Sequence, residues 1–185
     1  PFERFRKYTL ESADFLIGRN HEALEVARHK GYKGPASVVG NGVDTGHFVP
    51  APESPQPDTT TQRERSRAQW VVGYAGRLVS EKGLETLLAA IGSLPWGCHL
   101  RLCGDGPLRE ALQRLPAVEW LGNLPREQLL EFYRSLDVLV LPSRTTKRWK
   151  EQFGRVLIEA QACGVPVVGS SSGAIPEVIG SAGLV

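Results

Sequence analysis

The sequence predicts a doubly wound α/β domain, in which helices cover both faces of a parallel sheet. From residue 70 onward, apolar runs of strand length alternate with segments whose apolar residues recur at helical spacing. Apolar strands that alternate with helices of this length are typical of parallel sheets buried on both faces. We therefore expect a Rossmann-like architecture over residues 70–185.

The predicted strands and helices follow one another along the chain. The strands are WVVGYAG, CHLRLCG, AVEWLG, DVLVLPS and PVVGS, at 70–76, 98–104, 117–122, 137–143 and 166–170. The helices are LETLLAAIGSL, LREALQRL, REQLLEFYRSL, FGRVLIEAQACG and AIPEVIG, at 84–94, 108–115, 126–136, 153–164 and 174–180. The chain stops in GSAGLV, on a further run of strand type, and we expect it to be a piece of a longer protein.

The first fifty residues predict a fragment of a second domain. A weak helix at 2–12 is followed by a short buried strand in ADFLIGRN, a helix in HEALEVARHKGY, and a strand and turn in ASVVGNGVD. The stretch from Pro50 to Gln69 contains four prolines and three threonines and little apolar content, which indicates a linker. We place the domain boundaries at 1–50, 51–69 and 70–185.

Composition excludes several classes of protein. The 185 residues suffice for one domain and part of another, and the net charge of +2 argues against bulk attraction to nucleic acid. No apolar run approaches the roughly 18 to 20 residues that cross a bilayer, and no signal peptide begins the chain, so we expect a soluble, cytoplasmic protein. Cys98, Cys103 and Cys163 lack CxxC spacing and are expected to be reduced core residues.

The loops after the strands carry the candidate chemistry, because ligands of such sheets bind beyond the carboxyl ends of the strands. GRLVSEKG places Arg77 and Lys82 between a strand and a helix amino terminus, where two cations and free amides favour an anion such as diphosphate. Two solvated surface cations are the alternative. The loop is neither a P-loop nor a GxGxxG turn.

Two further loops are rich in small residues. GDGP, at 104–107, contains glycines that would let a ligand approach the backbone, although a tight turn explains them equally well. GSSSGAIPE, from Gly169, offers serines and free amides before a helix, or simply turns the chain.

The loop from Pro142 to Gln152 is basic. Four cations flank Trp149 in PSRTTKRWKEQ, and the amides of Phe153 and Gly154 beyond it would form a second anion site at a helix start. A solvated basic loop is the competing interpretation of these cations.

Glu151 and Glu159 stand eight residues apart, at the start of and within the next predicted helix. Carboxylates at that spacing on one helix would lie about 12 Å apart near one face, which suits an elongated ligand. The opposite side would be buried by Phe153, Val156, Leu157, Ala160 and Cys163. A surface helix with two solvated acids is the alternative. The four histidines show no metal-ligand spacing, so no metal site is expected.

Five motifs in order resemble the carboxyl-terminal half of the retaining GT-B glycosyltransferases of family 4, also called glycosyl transferases group 1. They are NGVDTGHF, GRLVSEKGLETLL, LCGDGPLR, LGNLPREQLLEFYRSLDVLVLPS and EQFGRVLIEAQACGVPVVGSSSGAIPEVI. The resemblance covers about residues 36–185. It implies an enzyme that transfers a hexose from a nucleotide-diphosphate sugar to a sugar, lipid-linked or small-molecule acceptor, without cofactor or metal and without nucleic acid as a partner.

The resemblance also implies roles for individual residues. Arg77 and Lys82 would hold the diphosphate, Glu159 the ribose and Glu151 the sugar hydroxyls, and these cations and Glu151 would be the catalytic set. The other implied donor-binding residues are Gly76, Gly104, Asp105, Gly106, Leu121, Gly122, Phe153, Gly154 and Arg155. Residues 1–50 would be the tail of an acceptor domain, and a peripheral association with the membrane would be made through the missing part of that domain.

The chain also departs from the family pattern. The glycine-rich loop and the histidine of the family's amino-terminal domain are absent, so the fragment alone should not catalyse transfer. The loop from Arg144 to Lys150 is longer and more basic than a minimal one and could meet an acidic acceptor or a lipid phosphate, or act as a mobile lid. A nucleotide-sugar epimerase and a non-catalytic nucleotide-sugar-binding module are the alternative functions. A dinucleotide dehydrogenase is disfavoured by the missing GxGxxG.

Overall fold

The amino-terminal part of the chain forms a small α/β unit. A computed structural model describes residues 2–52 and 70–185. The unit contains α1 (Phe2–Ser12), β1 (Leu16–Gly18), α2 (His21–His29) and β2 (Ala36–Val38). The two strands are parallel, with Leu16 opposite Ala36. All four elements lie where the sequence predicts them, but Gly18 is the one buried residue of β1 and Ile17 is 67% exposed.

The larger unit is a six-stranded parallel sheet with its connecting helices. A 3-10 turn (Ser80–Lys82) precedes the first of these helices. The elements are β3 (Trp70–Ala75), α3 (Leu84–Gly92), β4 (Cys98–Cys103), α4 (Arg109–Gln113), β5 (Val118–Trp120), α5 (Arg126–Arg134), β6 (Val138–Leu141), α6 (Arg155–Ala162), β7 (Val167–Gly169), α7 (Ile175–Ile179) and β8 (Gly183–Leu184). Each predicted strand and helix of this unit is confirmed, and the final apolar run forms β8.

Strand order explains why the sheet is covered on both faces. The order is β5-β4-β3-β6-β7-β8, so the chain first builds outward from β3 in one direction and then returns to build from β6 in the other. Because parallel crossovers are right-handed, the helices of the two halves lie on opposite faces of the sheet. This confirms the doubly wound α/β fold, and it places the topological switch point between β3 and β6, where ligands of such folds bind.

The core lies between the sheet and its helices. Its fully buried side chains include Tyr74, Leu100, Leu139, Leu157 and Ile175. Burying a side chain of this size contributes about 1.5 to 3 kcal/mol, so the core supplies most of the favourable free energy of folding. The three cysteines are buried and unpaired, as the sequence predicts.

The segment before residue 51 connects the two units. Phe48 is buried in the core of the larger unit, with its ring centroid 5.8 Å from that of Tyr133. Arg126 of α5 donates to the carboxylate of Asp44 at 2.6 Å, and Arg134 donates to the carbonyl of Val49 at 3.1 Å. The NGVDTGHF motif therefore packs on the carboxyl-terminal unit. The predicted linker from 51 to 69 lies, beyond residue 52, outside the described residues.

Within the described ranges, no helix is both long and apolar enough to cross a bilayer.

Candidate functional site

The loops that follow β3, β4 and β5 are tied together at the carboxyl edge of the sheet. The amide of Gly76 donates to the carbonyl of Cys103 at 2.9 Å, and the amide of Gly104 donates to that of Gly122 at 2.8 Å. Gly104 has φ +130°, and a Cβ there would lie 1.9 Å from the carbonyl oxygen of Gly76. Glycine is therefore required at residue 104 by the packing of one loop on the next, whatever else binds there.

These loops form one side of a cleft of about 500 Å³, and α5 and α6 form the other. Six of the predicted site residues line it: Gly76, Arg77, Gly104, Asp105, Arg155 and Glu159. The structure thus brings Arg77 and Glu159, which are 82 positions apart in the chain, to the same cavity. Gly106, Leu121, Gly122, Phe153 and Gly154 do not line it, and neither do Lys82 and Glu151.

Two carboxylates line this cleft, those of Asp105 and Glu159, and α5 holds Glu159 in place. The Tyr133 hydroxyl donates to Glu159 Oε2 at 2.6 Å, and Arg155 Nε lies 3.6 Å from Oε1. Burial and the neighbouring charge of Glu159 raise the pKa of Tyr133 far above its usual value, so the tyrosine remains a neutral donor. Sequence reasoning missed Tyr133, and the aromatic pair that it forms with Phe132 in REQLLEFYRSL is the signal that could have found it.

The loop that contains Arg77 is held in place by a hydrogen bond from a buried tyrosine of β3. Tyr74, fully buried in β3, donates its hydroxyl to the carbonyl oxygen of Arg77 at 2.7 Å. Burial and, second, the charge of Glu151 raise the pKa of Tyr74 well above its usual value. The Arg77 side chain is exposed and free to meet a ligand in the cleft.

Glu151 does not lie on a helix, so the prediction that both glutamates share one is wrong. Gly154 takes a left-handed conformation (φ +83°), and α6 begins only at Arg155. A residue with that backbone interrupts the helical path, and a Cβ at Gly154 would lie 2.8 Å from Leu141 Cδ2. The two carboxylates consequently open onto different cavities.

Glu151 is buried in an ion pair. Only 8% of the residue is exposed, and its Oε2 accepts from the Lys82 ammonium at 2.5 Å and from the Ser143 hydroxyl at 3.0 Å. The Lys82 ammonium also lies 5.1 Å from the centroid of the Trp149 ring, a cation–π distance. Ser143, which sequence reasoning did not select, lies two residues after the end of β6, in a loop where such a residue should be sought.

The serine- and glycine-rich loop near residue 172 holds the backbone of Glu151. The amide of Ala174 donates to the Glu151 carbonyl at 3.0 Å, and the amide of Glu151 donates to Ser172 Oγ at 3.3 Å. A Cβ on Gly173 would lie 1.9 Å from that same carbonyl oxygen. The loop therefore has a positioning role, which is more than the simple turn that was its alternative interpretation.

The amides of Phe153 and Gly154 point toward no acceptor among the residues the structure describes. They lie immediately before α6, where the helix dipole adds positive potential. Two free amides at a helix start can donate hydrogen bonds to an anion.

No group of three or more metal-ligating side chains occurs in the two described stretches.

The parallel sheet, its topological switch point and the free backbone amides at its carboxyl edge define a Rossmann-like protein of the GT-B type. The model of the family glycosyl transferases group 1 matches residues 56–183, and the chain belongs to this family. It is 34% identical over 142 residues to the sulfoquinovosyl transferase SQD2 of Arabidopsis thaliana, covering 75% of this chain and 26% of the relative. It is 33% identical to a GDP-mannose-dependent alpha-(1-6)-phosphatidylinositol monomannoside mannosyltransferase of Mycolicibacterium smegmatis, covering 79% and 42%.

Solved structures resemble the fold. The structure of Anabaena HepE in complex with UDP superposes with a TM-score of 0.75 at 25% identity, covering 96% of this chain and 51% of that one. The chain spans less than half the length of the two curated relatives named above, the sulfoquinovosyl transferase and the mannosyltransferase.

Proposed function

We propose that this chain is the donor-binding half of a retaining glycosyltransferase of family 4, which transfers a hexose from a nucleotide-diphosphate sugar. The observation that carries the proposal is the cleft in which Arg77 and Glu159 face the same space beside glycine-lined loops. A cation and a carboxylate that line one cleft match a diphosphate and a ribose diol. The relatives' names support the donor class, because one is GDP-mannose-dependent and one structure contains UDP.

Arg77 and the amides of Phe153 and Gly154 would hold the diphosphate. As the glycosidic bond breaks, negative charge grows on the leaving diphosphate, and fixed cations and amides stabilise it without needing a divalent metal. Lys82 would join them, although here its ammonium is engaged by Glu151. Donor binding would then require Lys82 to share its charge between the carboxylate and the phosphate.

Glu159 would accept hydrogen bonds from the two ribose hydroxyls. Its Oε2 accepts from Tyr133, so the diol would be bound mainly by Oε1, which lies 3.6 Å from Arg155 Nε. The base would lie beside Asp105, Gly106 and the backbone of residues 121 and 122.

Glu151 would accept from hydroxyls of the transferred sugar. Its pairing with Lys82 and Ser143 does not suit a free nucleophile, so we assign retention to a same-face attack assisted by the leaving phosphate. Residues 1–50 would be the tail of an acceptor domain, and the chain by itself should bind donor without completing transfer. The whole protein would be cytoplasmic and would use a sugar, lipid-linked or small-molecule acceptor.

Calorimetric titration with UDP-glucose, GDP-mannose and ADP-glucose tests the proposal. At least one should bind, and Glu159→Ala and Arg77→Ala should each weaken that binding by about tenfold or more, since each removes charge-assisted hydrogen bonds. Glu110→Ala and Arg114→Ala are matched controls, because both side chains are exposed and lie away from the cleft. If none of the three nucleotide sugars binds the folded chain, the proposal fails.

A further inference from the structure

A second groove, of about 780 Å³, lies between the amino-terminal unit and the basic loop. One wall is formed by β1 and the start of α2, and the other by residues 145–152. The side chain of Asn20 connects the two walls. Its Nδ2 donates to the carbonyl oxygen of Gln152 at 2.7 Å, and its Oδ1 caps the start of α2. Lys150 and Glu22 form an ion pair across the same gap.

The charges that line this groove are unbalanced. It contains four cations and two carboxylates, so its net charge of +2 equals that of the entire chain. Both carboxylates are already occupied, Glu22 by Lys150 and Glu151 by Lys82. The remaining cations are Arg19, Lys147 and Arg148.

These three cations have no carboxylate within 4.0 Å in the part of the chain that the structure describes. All three residues are exposed, and the one polar contact of their side chains there is a 3.5 Å approach of Arg19 to Gln152 Oε1. An unneutralised group of cations beside a cavity attracts an anion, and guanidinium and ammonium groups are the usual phosphate ligands.

The basic loop is a defined turn. The amide of Thr146 donates to the carbonyl of Trp149 at 2.7 Å, and the amide of Trp149 donates back to Thr146 Oγ1 at 3.0 Å. Lys147 and Arg148 therefore occupy the tip of a closed turn, whose base is anchored by the contact of Trp149 with Lys82. Holding the backbone of the tip in place lowers the entropy lost when an anion binds.

We infer that this groove binds a phosphorylated acceptor, with its phosphate on Arg19, Lys147 and Arg148. The inference rests on the proposed function, because Glu151 lines the same groove and would place the transferred sugar at its inner end. The phosphate would sit at the outer end, and a hydroxyl of the acceptor would face inward. The acceptor is thus a phosphate ester of a polyhydroxylated compound, either free or as the headgroup of a lipid.

The test compares glucose 6-phosphate with glucose as probes, by calorimetric titration of the chain. Glucose 6-phosphate should bind more tightly, and Lys147→Gln combined with Arg148→Gln should weaken it by about tenfold. Lys33→Gln combined with Arg114→Gln removes the same charge from exposed positions outside the groove and should have no such effect. Equal binding of the two probes, or equal losses in the two double variants, would overturn the inference.

Binding to lipid vesicles distinguishes the two possible sources of the phosphate, a lipid headgroup and a free phosphate ester. Cosedimentation with vesicles of one part phosphatidylinositol to four parts phosphatidylcholine, but not with phosphatidylcholine alone, would support a lipid headgroup. Binding of glucose 6-phosphate without cosedimentation would support a free acceptor. UDP-glucose and GDP-mannose titrated in parallel keep the two proposals distinct: loss of nucleotide binding with retained glucose 6-phosphate binding contradicts the donor cleft and leaves the anion site in place.

Discussion

Replacing Lys82 by alanine should destabilise the protein strongly, because it leaves a buried carboxylate without its counter-ion. The two side chains are only 14% and 10% exposed, so water cannot take the place of the ammonium. Removing one partner of such a pair costs about 3 to 5 kcal/mol, against a total stability of about 5 to 15 kcal/mol for a domain. The Ser143 hydroxyl remains as a donor but carries no charge.

A double-mutant cycle isolates this effect. Glu151→Gln added to Lys82→Ala removes the unpaired charge and should restore about 1 to 3 kcal/mol of the loss. Urea unfolding at pH 7, followed by circular dichroism, measures the free energy of unfolding of all four proteins, and equal slopes against urea would validate the comparison. A coupling energy below about 0.5 kcal/mol would show that the two groups do not form a buried pair, and our explanation of Glu151 would be wrong.

Three further predictions concern the scaffold of the site. Gly83→Ala should lower stability by about 2 kcal/mol more than Gly164→Ala: both glycines have φ near +70°, but only at Gly83 would the added Cβ meet a backbone carbonyl, 2.0 Å away. Tyr133→Phe should cost about 1 to 3 kcal/mol in urea unfolding and weaken nucleotide binding, because Glu159 loses its buried donor; unchanged binding would argue against a positioning role. Hydrogen bonds from the Arg101 guanidinium hold the pKa of Glu119 below its ordinary value of 4.5, so the native protein binds fewer protons than the unfolded chain. That contribution to stability is complete above about pH 4.5 and is lost as the pH falls through the lower native pKa; Glu119→Gln should flatten this dependence in urea unfolding at pH 3 to 6.

Much of the fold was predictable, because each strand is a short apolar run with a helix before the next. The period of apolar residues is a local property, and the sheet buries such runs on both faces. The same topology explains why Arg77 and Glu159 line one cleft: the carboxyl ends of parallel strands share one edge, so the loop after β3 and the helix that follows β6 lie close together even though they are distant in the chain.

The predictions that were wrong or missing concern features that depend on backbone conformation or on contacts between residues distant in the chain. Glu151 was predicted at one end of a helix because the spacing to Glu159 is compatible with helical geometry. Spacing does not reveal that Gly154 adopts a left-handed conformation and delays the helix to Arg155. The sequence likewise contains no sign that Lys82 pairs with Glu151, since the partners are 69 positions apart.

The sequence by itself determined the doubly wound sheet, the position of the loops between its strands and helices, and the family, because these depend on apolar periodicity and on short motifs. Tertiary structure alone decided how the charged groups combine. It placed Arg77 and Glu159 on one cleft, neutralised Lys82 against Glu151, and left Lys147 and Arg148 without carboxylate partners among the described residues. The physical reason is that the energy of a charge depends on its burial and on its neighbours within a few ångströms, and folding brings those neighbours from distant parts of the chain.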